Sequence, residues 1–131
     1  MTLNIFIDNL KRDKARGVIA PHQIVLLCAL YNLFERYDKV TFDIEELNTE
    51  FQLVWKENKD RFQSISNILG MPLKALLNQG HVNLNCSNKV LDFRRLNNLK
   101  TNIKSVQIGT ELSKIFTLEN VKKTLINRLN K

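Results

Sequence analysis

Apolar side chains recur at helical spacing along most of the chain and change to simple alternation in one short stretch. Leu3, Phe6, Ile7 and Leu10 share one face of a first helix, which is followed by the cluster Lys11, Arg12, Lys14 and Arg16 and a stop at Gly17. Pro21 reopens the chain, since a proline in a first helical turn gives up no hydrogen bond. Ile24 to Phe34 is then apolar almost all round, the pattern of a helix buried at the centre of a fold. Val40-Thr41-Phe42 is a short β-prone piece. Asp43 and Glu46 predict a capped start for a helix carrying Leu47, Phe51, Val54 and Trp55 and running to about Asn58. A further helix with Phe62, Ile65, Ile68 and Leu69 is predicted to end at Gly70, and Pro72 to open a short helical turn with Leu73, Leu76 and Leu77 before Gly80.

The period changes after Gly80. His81-Val82-Asn83-Leu84-Asn85 and Val90-Leu91-Asp92-Phe93 alternate around a polar turn, which predicts a small β-hairpin near 81–93. Helical spacing returns with Leu96, Leu99 and Ile103, then Leu112, Ile115 and Phe116, then Val121, Leu125, Ile126 and Leu129, predicting C-terminal helices over 95–130. The expected fold is mainly α with a small β-hairpin, a winged-helix-like helical domain formed by residues 1–131 as one unit.

Composition narrows the class further. At 131 residues, with 44% apolar and 25% charged positions, the chain has the make-up of one globular domain, which excludes a disordered or collagen-like chain. Its longest apolar stretch, Ile24 to Leu30, is far short of the roughly 18 residues a membrane span needs. No basic segment precedes the apolar residues of the N-terminus, and Asp8 cuts them short, so no export signal is expected. Cys28 and Cys86 are too few for a disulfide framework and read as reduced thiols, the usage of a cytoplasmic protein.

The net charge of +7 is unevenly spread. Residues 35–60 hold four cations against eight carboxylates, whereas residues 61–110 hold seven cations against one. Arg61, Lys74, Lys89, Arg94, Arg95, Lys100 and Lys104 are interleaved there with Asn78, Asn83, Asn85, Asn88, Asn97, Asn98 and Asn102. Cations for phosphates and amides for phosphate or base edges make nucleic acid the natural partner, with a merely solvated basic face as the alternative.

Catalytic chemistry is sparse. The only histidines, His22 and His81, stand near no cysteine or carboxylate pair at metal-ligand spacing, and Gly17, Gly70, Gly80 and Gly109 form no phosphate-cradling loop. Glu45, Glu46 and Glu50 read as a solvated helix face. The chain is therefore expected to be non-enzymatic, with no cofactor and no metal. His22, beside Pro21, reads either as a helix-end residue or as a functional one.

Four stretches carry a resemblance. Ala20-Pro21-His22-Gln23-Ile24-Val25-Leu26-Leu27, Val40-Thr41-Phe42 through Phe51, Gly70-Met71-Pro72-Leu73-Lys74-Ala75-Leu76 with Gly80-His81-Val82-Asn83-Leu84, and Val106 to Leu129 follow one another in the order of a known family. The chain resembles the N-terminal DNA-reading domain of HNH-type, modification-dependent restriction endonucleases, a group whose best-known member is the sulfur-binding domain for phosphorothioate DNA. The resemblance implies His22 and Gln23 at a phosphate-facing helix start, and Met71, Pro72 and Ala75 around an apolar pocket for a backbone sulfur. Such a wall suits a large, polarizable, weakly hydrated atom.

The functional expectation is a non-catalytic DNA-binding domain. Phosphorothioate DNA is the candidate target, and a restriction or defence nuclease in another domain or a partner protein supplies cleavage. His22 and His81 cannot build the His-Asn-His metal motif of an HNH centre. The alternative is a protein-interaction module of a defence or phage system, without specific DNA binding. The candidate DNA-binding residues are His22, Gln23, Met71, Pro72, Lys74, Ala75, His81, Lys89, Arg94 and Arg95.

Overall fold

A computed structural model describes residues 2–10, 21–61 and 67–130. The basic cluster at 11–16, Gly17, Ala20, Phe62 and Ile65 lie outside the described residues. Helix α1 (Leu3–Asp8) starts where the Thr2 hydroxyl accepts the Ile5 N–H at 3.3 Å, and it buries Leu3, Phe6 and Ile7. Helix α2 (His22–Tyr37) buries every residue from Gln23 to Leu30 and also Leu33, so it forms the centre of the fold. It ends at Asp38, whose backbone is left-handed at φ 50°. Strand β1 (Thr41–Asp43) leads directly into α3 (Ile44–Asn58), which buries Ile44, Leu47, Phe51, Val54 and Trp55. Glu45 and Glu46 lie in the first turn of α3, where the helix dipole favours them, although the Asp43 side chain makes no capping bond.

Helix α4 (Gly70–Asn78) leads into β2 (Val82–Cys86); α5 (Leu96–Asn102) runs straight into β3 (Ile103–Ile108), and α6 (Thr110–Phe116) and α7 (Val121–Leu129) close the chain. The strands form one antiparallel sheet in the order β1-β3-β2. Phe42 and Leu84 flank Val106 on opposite sides, laying one apolar row against the helices. Helix, strand, two helices, strand, long connection and strand follow in winged-helix order, with α4 as the second helix of the pair and residues 87–102 as the wing. The expected class, mainly helical with a small β element, is what the chain forms.

The element boundaries differ from expectation in three places. Val90–Phe93 is not a strand, and β2 pairs instead with β3. The Asn98 side chain accepts the N–H groups of Leu91 (3.0 Å) and Asp92 (3.4 Å), so backbone donors that a ladder would need are held by an amide. Ile103 was expected on a helix and the C-terminal third all-helical, but α5 stops at Asn102 and residues 103–108 run extended as the central strand. The Asn102 side chain turns back to donate to Asn98 O at 2.8 Å, ending the helix locally. Gly70 begins α4 rather than ending a preceding helix, and Pro72 sits in that first turn.

Glu50 also departs from the expected solvated face. It is 6% exposed, and its carboxylate accepts from Asn32 Nδ2 at 3.1 Å and from Arg36 Nη1 at 3.0 Å. Lys122 Nζ donates to Asn32 Oδ1 at 2.6 Å, extending the network from α2 and α3 to α7. Glu50→Ala is expected to cost about 2 kcal/mol, since it leaves the Asn32 amide without its buried acceptor, while half-exposed Arg36 returns to water. Urea unfolding of Glu50→Ala beside Glu50→Gln, which keeps one acceptor, measures it. Both cysteines are free: Cys28 is buried, and its thiol is pushed up to about 12 by burial, while Cys86 is exposed.

Candidate nucleic-acid interface

Helix α4 divides its residues sharply. Gly70, Pro72, Leu73 and Leu76 are buried, while Met71 (52% exposed), Lys74 and Asn78 are exposed and Ala75 is half-buried. The spacing 71, 74, 75, 78 is one helical stripe. Of the three residues that the resemblance gathers around an apolar pocket, Met71 and Ala75 share this outward stripe. Pro72 turns into the core.

The wing is fixed against that helix. Gly70 packs directly on the Phe93 backbone: a Cβ at Gly70 would lie 1.6 Å from the Phe93 carbonyl oxygen and 3.0 Å from Leu99 Cδ1. Lys74 Nζ sits 5.7 Å from the Phe93 ring centroid, a cation–π distance. Where the wing joins β2 and β3, Ser87 N–H donates to Asn102 O at 2.8 Å and closes its base. Wing and helix therefore present their side chains as one body.

Within the wing, Asp92 organises the cations. Its Oδ1 accepts from the Arg94 backbone N–H at 2.9 Å and from Arg94 Nε at 3.1 Å, an Asx-type turn. Arg95 Nε lies 3.6 Å from Asp92 Oδ2. The Arg94 hydrogen bonds hold the Asp92 carboxyl below its ordinary range, so it stays ionised. Both guanidinium side chains are about four-fifths exposed, at 78% and 80%, and Lys89 is exposed beside them. Lys100 is drawn toward Glu45 of α3 at 3.7 Å. On the outer face of the sheet, Thr41 and Asn83 flank Gln107, and Asp43 and Asn85 flank Ser105, a polar row.

The remaining candidates are placed differently. Gln23 is 6% exposed and buried with the first turn of α2, so it does not reach a surface phosphate; a glutamine amide there is covered by the packing of the central helix. His22 is half-buried and packs on Trp55, with ring centroids 4.9 Å apart. The His81 ring packs on Phe6 at 4.4 Å, while its backbone N–H donates to Leu76 O at 2.9 Å and its carbonyl accepts the Gly109 N–H at 2.8 Å, joining α1, α4 and the end of β3. It acts as a structural tie between those elements. The residues that anchor this interface are Gly70, read from sequence as a helix end, Phe93, read as part of a hairpin strand, and Asn98, counted among the amides; none is among the ten candidate DNA-binding residues. The frequent asparagines between 78 and 102 were the visible signal.

Burial holds the His81 imidazole below its ordinary pKa of 6.5, against the opposing pull of Glu111. A base with a lowered native pKa binds fewer protons folded than unfolded, so its contribution is full above about pH 6.5 and is lost as pH falls through the native value. The expected outcome is a thermal midpoint that declines below that pH, with a shallower decline in His81→Gln. Calorimetry across that range measures it.

Among the described residues no group of three or more His, Cys, Asp or Glu could hold a metal ion, and no helix is long and apolar enough to cross a membrane. The chain matches no family model and no curated protein sequence.

Proposed function

We propose that this domain is a non-catalytic DNA-binding module, with α4 and the wing laid on duplex DNA and cleavage, where it occurs, carried by a separate nuclease domain or partner. The observation that carries the reading is the rigid coupling of the α4 stripe to the wing cations through Gly70, Phe93 and Lys74. Helix and wing together offer ammonium and guanidinium groups to phosphates, and amides at Asn78 and Asn97 to base or sugar edges. Reading of a phosphorothioate belongs to the same proposal. Its support is the outward Met71 and Ala75 beside Lys74, a thioether and a methyl next to a cation. That pairing matches a sulfur on a charged backbone better than it matches oxygen.

The experiment is a fluorescence-anisotropy titration with matched unmodified, phosphorothioate and base-methylated duplexes, each at two salt concentrations. The reading expects salt-sensitive binding that is tightest for the phosphorothioate duplex, and Met71→Gln, which removes the thioether without adding charge, to remove that preference while plain-DNA binding persists. Equal binding to all three leaves a DNA binder without modification reading. Binding no tighter than about 10⁻⁴ M at physiological salt overturns the DNA reading and points to an acidic protein partner.

A further inference from the structure

Leu91 is 81% exposed, the most exposed large apolar side chain among the described residues, and exposed cations lie close to it in the chain. Lys89 precedes it, and Arg94 and Arg95 follow, all exposed. An apolar protein partner would have to desolvate those charges to reach it, whereas a polyanion neutralises them. The leucine is also held firmly. Its backbone N–H is bound by Asn98 Oδ1 at 3.0 Å, and that amide is braced by Asn102 Nδ2 at 3.1 Å. The neighbouring Asp92 N–H shares the same acceptor, and the Phe93 backbone two residues on is seated against Gly70. An exposed side chain on a pinned backbone loses little backbone freedom when it enters a contact.

Resting on the DNA-binding reading above, we propose that Leu91 is a wedge that enters the minor groove and partly unstacks one base step, kinking the duplex, while the flanking cations hold the phosphates on either side. Aliphatic wedges of this kind open a step, and the lost stacking is repaid by wider protein–DNA contact. The cost is least at pyrimidine–purine steps, so the wedge makes the domain a reader of step flexibility as well as of charge.

The test uses the whole chain with a duplex of about 20 base pairs carrying a central TA step, 2-aminopurine beside that step and a dye at each end. Wild-type protein is expected to raise 2-aminopurine fluorescence and to increase end-to-end energy transfer. Leu91→Ala is expected to keep affinity within about threefold, because the phosphate contacts remain, while both signals fall to the level of free DNA. Leu91→Phe is expected to restore them, since an aromatic wedge also unstacks. Wild-type binding without either signal, or signals undiminished in Leu91→Ala, overturns the wedge and leaves DNA binding standing. Absence of binding to any duplex overturns both.

Discussion

Gly70→Ala is expected to lower the thermal midpoint by roughly 10 °C, corresponding to about 3 kcal/mol of overpacking. The reason is local and steric. The new methyl would be driven into the Phe93 carbonyl, backbone that cannot swing aside as a flexible side chain would, with Leu99 closing the other side. The fold can relieve the clash only by parting α4 from the wing, so DNA affinity is expected to fall with stability. Gly80→Ala is the proper comparison: its backbone is left-handed at φ 79°, but a Cβ there meets nothing within 4 Å. Conformational strain alone predicts about 1 kcal/mol at that position. Differential scanning calorimetry of the two variants separates strain from collision, and equal losses would contradict the close packing at Gly70.

The second large effect falls on binding. Arg94→Ala/Arg95→Ala is expected to weaken duplex binding about 30-fold at low salt and to reduce the slope of log K against log salt by about 2. Both side chains are solvent-facing and pair with the exposed Asp92–Arg94 turn rather than with the core, so the fold should survive the change. Circular dichroism checks that point and salt titrations measure the slope. An unchanged slope would move the interface away from the wing. The loss should be uniform across modified and plain duplexes, because guanidinium groups on phosphates position without reading sequence.

The helical frame was legible because its signal is dense. Leu26, Leu27, Leu30 and Leu33, and likewise Leu47, Phe51, Val54 and Trp55, repeat at helical spacing and are all buried. Strand β3 was hidden because Ile103 and Val106 are three residues apart, a helical interval, and the bulge at Asn85/Cys86 shifts the pairing that would have exposed its alternation. The run at 90–93 alternates in sequence, but the N–H groups of Leu91 and Asp92 are taken by the Asn98 side chain, a bond to which hydrophobic periodicity is blind. Glu50 looked like its acidic neighbours because its burial depends on Asn32 and Arg36, 18 and 14 positions away. The candidate site divides on the same line. Exposed cations could be read from charge, and Met71 and Ala75 entered only through the resemblance, whereas the burial of Gln23 and the seating of Phe93 on Gly70 are tertiary facts.

The strand order carries a consequence for how the chain reaches this state. The middle strand of the sheet is the last of the three to be made, and its partners at Thr41 and Asn83 both meet it at Gln107. On the ribosome, residues 41–43 and 82–86 therefore wait as separate segments until 103–108 emerges between them. The helices can collapse around α2 early through near-neighbour contacts, while sheet closure waits on a long loop. Phe42 and Leu84, which flank Val106 on its two sides, can therefore join one apolar row only after residues 103–108 have been made.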